Sequence, residues 1–463
     1  MYQINFDSPV HVHFIGIGGI SMSGLAEVLL QEGFTISGSD SQRSELTRHL
    51  EEKGATVFYG QTADNIKPGI DVVVYTAAIH PDNAEFAAAR SAGIPMLTRA
   101  ELLGEIMRNY KTAIAVAGTH GKTTTTSMIS MILLEAQADP TISVGGILPE
   151  IGGNIRVGRS DLFLTEACEY TNSFLSFFPT VDVILNIEED HLDFFKDLAD
   201  IRHSFHRFAE LLPAHGLLVM NGEIKNIDEI TNGVDADLVT YKVSGEADYT
   251  ASDITYDRQG CASFTLVHKG TPVGPVELHV PGIHNVSNAL AALATTMELG
   301  FDFKTASEGL AMFHGTDRRF QYKGEVNGVT IIDDYAHHPA ELRQSILSVK
   351  ELYAGRKVTG IFQPHLYTRT RDFAGDFAAS LSLLDELILL DIYPAREEPI
   401  PGVSSRIIFD KVTIPSKTLC KKEELLDVVA AGKYEVVLMI GAGNIDRLVE
   451  PVKEILCKQI RKP

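Results

Sequence analysis

The stretch Gly118-Thr119-His120-Gly121-Lys122-Thr123 carries the residue types that hold a nucleotide triphosphate. Gly121 lets the backbone wrap an anion, Lys122 sets a cation against the β and γ phosphates, and Thr123, followed by Thr124, offers a hydroxyl to a divalent cation. The strict spacing G-x-x-x-x-G-K-[ST] is not met, because Val116 stands where the first glycine belongs and a glycine appears instead at 118. Four consecutive threonines, Thr123 to Thr126, are poor helix formers and argue against a merely structural helix opening. A bound triphosphate also needs metal ligands. Glu166 and Glu169 in Thr165-Glu166-Ala167-Cys168-Glu169-Tyr170, with Asp190 and His191 after a later strand, are placed to supply them.

A second glycine run, Gly16-Ile17-Gly18-Gly19-Ile20-Ser21-Met22-Ser23-Gly24, joins a strand to a helix, where glycines let the backbone approach a pyrophosphate. Ser21 breaks the strict G-x-G-x-x-G, and Asp40, closing the next strand, can accept from a ribose or a base. Alone, this run suits a dinucleotide dehydrogenase as well as any other nucleotide-phosphate binder. With a separate phosphate loop downstream, two nucleotide sites are implied, and the second nucleotide reads best as part of a substrate. A third cluster, Asp333-Asp334-Tyr335-Ala336-His337-His338-Pro339, puts carboxylates and imidazoles at a strand's carboxyl end, where α/β sites form. It lacks a recognised metal-ligand spacing, and His338 reads as incidental to a helix cap. His365, Arg369 and Arg371 follow another strand, so cations can converge there on a carboxylate or phosphate, with surface salt bridges as the plain alternative.

The elements that must position these residues alternate as α/β units do. Strands near 11–15, 35–38 and 71–75 with helices near 22–32 and 86–92 make a first doubly wound unit through about residue 108. A second unit opens with a strand at 112–117, the phosphate loop and a helix near 123–135, and has a later strand at 181–185. Short alternating segments from about 238 to 280 suggest an antiparallel insertion. A third unit, with strands near 329–332, 357–362, 386–390 and 435–440, begins close to 313–317. The expectation is an α/β protein of three domains, residues 1–108, 109–316 and 317–463, which agrees with 463 residues at ~150 per domain.

Composition narrows the class. A net charge of -21 disfavours nucleic acid or an anionic membrane as the main partner, and no run approaches the ~18 apolar residues of a membrane span. A soluble, cytoplasmic protein is expected. Cys168, Cys261, Cys420 and Cys457 show no C-x-x-C spacing, so neither a disulfide framework nor a zinc site is signalled.

Taken together the motifs resemble the Mur ligases of peptidoglycan precursor synthesis, over nearly the whole chain. The resemblance rests on His13 to Gly19 with Met22-Ser23-Gly24, Gly38-Ser39-Asp40, Gly118 to Thr126, Glu166 to Glu169, Gly282-Ile283-His284-Asn285 with Asn288-Ala289, Asp333 to Pro339, and Phe362-Gln363-Pro364-His365. It implies an N-terminal Rossmann-like domain holding the UDP of UDP-N-acetylmuramate through Gly16, Gly18, Gly19, Ser39 and Asp40. It implies a central P-loop ATPase-like domain with a mainly parallel sheet, holding ATP on Gly118, Thr119, His120, Gly121, Lys122, Thr123 and Thr124, with Asn285 at the adenine. A C-terminal Rossmann-like domain would bind the amino acid through Tyr335, His337 and Arg369 and reach ATP with Arg319 and Asp334. Thr123, Glu166 and His191 would hold Mg²⁺ or Mn²⁺, and Lys122, Glu166, His191, His337 and Arg369 would be the catalytic set, assembled by domain closure in a monomer or homodimer.

The implied chemistry is phosphoryl transfer from ATP to the sugar's lactyl carboxylate, attack by the amine of L-alanine on that acyl phosphate, and loss of phosphate from a tetrahedral intermediate. Two departures stand out: Leu366 where many relatives carry Arg, and Cys168 where Asp is common. A sibling ligase adding another amino acid or a recovered peptide would share most of the motifs. An NAD-dependent oxidoreductase leaves the Lys122 loop unexplained, and a nucleotide-gated binding module would bind ATP without releasing phosphate.

Overall fold

The structure is a computed structural model that describes residues 2–76, 79–191, 194–257, 259–316, 318, 320–395 and 397–459. The chain forms two compact units, Met1–His314 and Gly315–Pro463.

The first sheet of the larger unit is wholly parallel, in the order Thr56–Tyr59, Thr35–Asp40, His11–Ile15, Val72–Tyr75, Met96–Thr98. Parallel neighbours need crossovers, which the helices Ile20–Gln31, Glu45–Glu52 and Ala84–Ser91 provide. The chain leaves His11–Ile15 towards one edge and returns to the other side of it, so the glycine turn sits at the carboxyl end where the strand order reverses. Helix Glu45–Glu52, which the sequence pattern did not reveal, starts with a capping box between Ser44 and Thr47.

The central sheet has ten strands, with Thr112–Ala117 inside a parallel block of Ala236–Lys242, Gly216–Asn221, Val181–Ile184, Leu162–Ala167 and Thr141–Leu148. Burial on both faces explains why Thr112–Ala117 reads as a continuous apolar run rather than an alternating one. Helices Lys122–Glu135 and Ile283–Glu298 bury Met128, Ile129, Leu290 and Leu293 against one face of this sheet. The opposite core takes in Phe163, Phe174 and Phe205 and continues into Phe14, Leu25 and Leu103 of the first sheet's layer. That shared core joins two expected domains into one compact unit. The approach is close: a Cβ on Gly104 would lie 1.9 Å from the Ser176 carbonyl oxygen, and one on Gly24 1.9 Å from Ile155 Cδ1.

The antiparallel part begins later than the alternation suggested. Ala236–Lys242 runs parallel to Gly216–Asn221, and Tyr249–Tyr256 is parallel to it in turn. Cys261–His268 then pairs antiparallel with both Tyr249–Tyr256 and Thr271–Pro281, and Gly153–Arg156 pairs antiparallel with Thr141–Leu148 at the sheet's other edge. A strand with one face towards solvent alternates whichever way its neighbour runs, so the period-2 pattern could not tell the two apart.

The smaller unit carries a six-stranded sheet in the order Gln321–Val326, Val329–Asp334, Val436–Ile440, Val358–Phe362, Glu386–Leu389, Lys417–Leu419. Gln321–Val326 is its antiparallel edge and every other pair is parallel. Cores lie on both faces, around Phe362 and Phe377 on one and Met439 and Val452 on the other. Among the described residues no helix is long and apolar enough to cross a membrane.

Candidate active site

Strand Thr112–Ala117 ends in a loop that turns through Gly118 (φ 147°) and Gly121 (φ 85°) into helix Lys122–Glu135. Both glycines are required, since φ in this range strains any residue with a Cβ and a Cβ on Gly118 would also lie 2.9 Å from that of Leu185. The first bond of the helix runs from Thr125 N–H to Gly121 O, so the N–H groups of Lys122, Thr123 and Thr124 have no carbonyl in the helix to bond. They are the donors a phosphate takes at a helix N-terminus. Lys122 Nζ donates to Gly118 O and Thr119 O and lies 3.0 Å from Glu169 Oε2. Burial is the largest influence on this amine and pushes its pKa down, but Glu169 chiefly, with Cys168 and Glu166, outweighs it and the net shift is upward. Lys122 is therefore held as a cation.

The loop is clamped from the neighbouring strand's exit. The Asn186 amide accepts from His120 N–H at 2.8 Å and donates to His120 O at 3.0 Å, while Glu188 N–H donates to Thr119 Oγ1 at 2.9 Å. Thr123 Oγ1 donates to Glu166 Oε2 at 3.1 Å, and Gly145 N–H donates to Glu166 Oε1 at 2.5 Å. A Cβ on Gly145 would fall 2.7 Å from that carboxylate, so only glycine allows the approach. Asn285, in the first turn of helix Ile283–Glu298, donates to Pro281 O and accepts from Asn288, whose Oδ1 faces Gly121 closely enough to exclude a Cβ there. His191 has positive φ and its ring lies tilted against that of Tyr170, 4.6 Å between centroids.

At the first sheet the glycine turn proves to be internally bonded. Gly16 and Ile17 N–H both donate to Ser39 O, Gly18 N–H donates to Asp40 Oδ2 at 2.8 Å, and Gly19 N–H donates to Gly16 O. The donors without a helical carbonyl are those of Ile20, Ser21 and Met22, because the first helical bond is Ser23 N–H to Gly19 O. Ser39 is buried with its hydroxyl on Glu85. The carboxylate of Asp40 and the hydroxyl of Ser39, both expected at the UDP, are thus engaged in shaping the turn.

In the smaller unit, Asp333 and Asp334 end strand Val329–Asp334. His337 Nδ1 donates to Tyr335 O at 3.0 Å, and the His337 ring sits 5.4 Å from that of Tyr335 and 6.2 Å from that of His365. Arg369 Nη1 lies 3.4 Å from His365 Nδ1, so Tyr335, His337 and Arg369 fall in one cluster joined by His365. Arg371 does not converge on it but pairs with Asp372. His338 caps helix Pro339–Leu352 and lies edge-on to Phe373, as its reading beside a helix cap implied. Leu366 holds φ 73°, ψ 137°, a strained pair for a side chain with a Cβ, at the entry to helix Tyr367–Asp372. Arg319 lies outside the described residues.

Asp333 is 1% exposed, and burial pushes its pKa up to about 6 against the pull of Arg318 and Lys323. Its unfolded value is near 4, so the folded chain keeps a proton there that the unfolded chain releases between about pH 4 and 6. Stability from this group is present at the acid end of that window and lost as pH rises through it. Asp333→Asn is expected to flatten this fall, read as the denaturant midpoint of variant and wild type from pH 4 to 7. Parallel curves would show that Asp333 does not titrate there.

Three stretches of the chain match known domain descriptions: "Mur ligase family, catalytic domain" at residues 11–111, "Mur ligase middle domain" at 116–296, and "Mur ligase, glutamate ligase domain" at 318–443. The chain belongs to the Mur ligase family. Among curated Mur ligases it is similar to the UDP-N-acetylmuramate--L-alanine ligase of Agathobacter rectalis, 56% identical over 97% of this chain and 99% of the relative. That of Parabacteroides distasonis is 52% identical over 98% of each. The crystal structure of UDP-N-acetylmuramate-alanine ligase from Thermotoga maritima superposes with a TM-score of 0.77 at 30% identity, covering 96% of this chain and 98% of the other. As a Mur ligase the protein is an ATP-dependent enzyme of three α/β domains.

Within this Mur ligase the sequence motifs had marked Lys122, Thr123 and Glu166, which meet at one loop. His191 is joined instead to Tyr170 and Asp190, and no described group of three His, Cys, Asp or Glu side chains is gathered as a metal cage. The clamp residues Asn186 and Gly145 carry no sequence motif, and Asn288 is marked only as part of the family motif, without a role at the loop. The sequence reading missed Gly441-Ala442-Gly443-Asn444 after strand Val436–Ile440, a strand-turn-glycine signal in which a Cβ on Gly443 would lie 2.5 Å from Gln363 Oε1.

Proposed function

We propose that this chain joins L-alanine to the lactyl carboxylate of UDP-N-acetylmuramate, with ATP as phosphoryl donor, releasing ADP and phosphate. The observation that carries the reading is the Lys122 loop, a helix N-terminus whose opening N–H groups have no helical carbonyl and which has a partly buried cation at its mouth. Relatives that match almost end to end bear the name of that ligase. Residues 1–108 take the UDP of the substrate, 109–316 the ATP and 317–463 the amino acid, and the substrates place the enzyme in the cytoplasm.

In this mechanism the γ phosphate lies on the N–H groups of Lys122, Thr123 and Thr124, with Lys122 Nζ against its oxygens. The Thr123 hydroxyl and Glu166 carboxylate, 3.1 Å apart, are hard oxygen ligands at the spacing a Mg²⁺ site uses, and the Gly145 N–H holds the carboxylate in place. These two groups would hold Mg²⁺, which when bound would supply positive charge against the transferring phosphoryl group. The UDP pyrophosphate takes the opening of helix Ile20–Gln31. Arg369 pairs with the carboxylate of the amino acid, and His337 with Tyr335 orients its amine.

The test supplies ATP, Mg²⁺ and UDP-N-acetylmuramate and measures phosphate release across a panel of amino acids. L-Alanine is expected to give the highest kcat/KM, with glycine, one methyl shorter, about tenfold or more below it. Release that does not depend on the amino acid overturns the ligase reading, and preference for another amino acid or a peptide makes the enzyme a sibling Mur ligase.

A further inference from the structure

Beneath the glycine turn runs a chain of buried polar groups that the mechanism above leaves unused. His11 Nδ1 lies 3.2 Å from the Gly69 carbonyl and must donate to it, so in the neutral ring His11 Nε2 is the acceptor facing Ser37 Oγ at 2.7 Å. The single proton of Ser37 goes to His11, which leaves its oxygen to accept from His13 Nδ1 at 2.8 Å. His13 Nε2 shares one proton with Glu85 Oε1 across 2.7 Å, and Ser39 Oγ donates to Glu85 Oε2 at 2.5 Å. The side chains of His13 and Glu85 have no exposure at all.

The far end of this chain is the turn itself. The carbonyl of Ser39 receives both Gly16 and Ile17 N–H, and the next residue, Asp40, receives Gly18 N–H. Gly38 closes on the same turn, with room for no Cβ 2.7 Å from Phe14 O and 2.8 Å from Ile17 Cβ. Glu85 is fixed in turn by its place in the first turn of helix Ala84–Ser91, which Asn83 caps. Three elements are thereby tied to the position of one serine: strand His11–Ile15, strand Thr35–Asp40 and helix Ala84–Ser91.

We propose that His13 and Glu85 are positioning residues of the first nucleotide site, holding Ser39 so that the turn presents the opening N–H groups of helix Ile20–Gln31 to the diphosphate of the substrate. The inference rests on the reading of residues 1–108 as the UDP-binding domain. A pair with a merely structural role would be replaceable without a change confined to one substrate.

Steady-state kinetics on Glu85→Ala, Glu85→Gln and Ser39→Ala test it, with the thermal midpoint recorded for each. Glu85→Ala is expected to raise KM for UDP-N-acetylmuramate roughly tenfold, the scale of one lost hydrogen bond to a charged group, with KM for ATP and for L-alanine within about twofold of wild type. Glu85→Gln can donate to His13 Nε2 and accept from Ser39, and is expected to return KM to within about threefold. If Glu85→Ala does not fold, Ser39→Ala decides, since it removes only a hydroxyl: a selective rise of about threefold or more upholds the proposal. An unchanged KM for the UDP substrate, or an equal rise in all three KM values, overturns it. A wild-type enzyme that does not turn over UDP-N-acetylmuramate refutes the ligase reading instead.

Discussion

Lys122→Ala is expected to lower turnover by roughly 10²- to 10³-fold, the range seen when one preorganised donor is removed from developing charge. Lys122 Nζ is the cation at the mouth of a helix N-terminus, and nothing else described on that loop replaces it. The same change leaves the Glu169 carboxylate, 2% exposed, without its ion-pair partner. Breaking a buried pair in this way costs about 3–5 kcal/mol, so the thermal midpoint should fall as well. Glu169→Gln separates the two effects, because it keeps a hydrogen-bond acceptor for Nζ and leaves the lysine in place. It should retain far more turnover than Lys122→Ala at saturating ATP. The raised pKa of Lys122 fixes the sign of any pH effect. Its contribution to stability is complete below the ordinary amine value and disappears only as pH rises through the higher folded value, so no titration of this group should appear near neutrality. A Lys122→Ala enzyme with full turnover would remove the phosphate-loop assignment.

Glu166→Ala should show a loss of about 10²-fold or more in turnover, together with a higher Mg²⁺ requirement. The carboxylate is held from two sides, by the Gly145 N–H and the Thr123 hydroxyl, and that orientation leaves it facing the loop's hydroxyl ligand. Removing it takes away a charged hard oxygen, the ligand type on which Mg²⁺ binding depends most. Initial rates against Mg²⁺ concentration at fixed ATP give the measurement. A half-saturating concentration that does not move would show that Glu166 is not a ligand. His191→Ala, measured beside it, reports whether the imidazole on Tyr170 contributes at all.

The phosphate loop and the glycine turn were legible because their requirements are local. A strand buried on both faces is a continuous apolar run, positive φ calls for glycine at Gly118 and Gly121, and a cation must follow at once as Lys122. The α/β class, the strands that carry these turns and the acidic residue Glu166 at the end of a neighbouring strand follow from the same short-range rules. What residues 118 to 123 do not contain is the identity of their clamps.

Asn186 and Glu188 reach the loop only because Val181–Ile184 pairs beside Thr112–Ala117, and Gly145 reaches Glu166 only because Thr141–Leu148 pairs beside Leu162–Ala167. Strand order of that kind is decided by burying whole faces of a sheet, which no window of a few residues records. The same holds for Ser39 and Asp40. Their types fit a sugar or a base, yet the parallel register sets Ile15 opposite Ser39 and so brings the strand's end against the turn, where hydroxyl and carboxylate become internal partners. By itself the sequence determined the kind of chemistry and the turns that hold phosphate. Which side chains brace those turns was settled only by tertiary pairing, because hydrogen-bond partners across a parallel sheet are chosen by register and burial rather than by residue type.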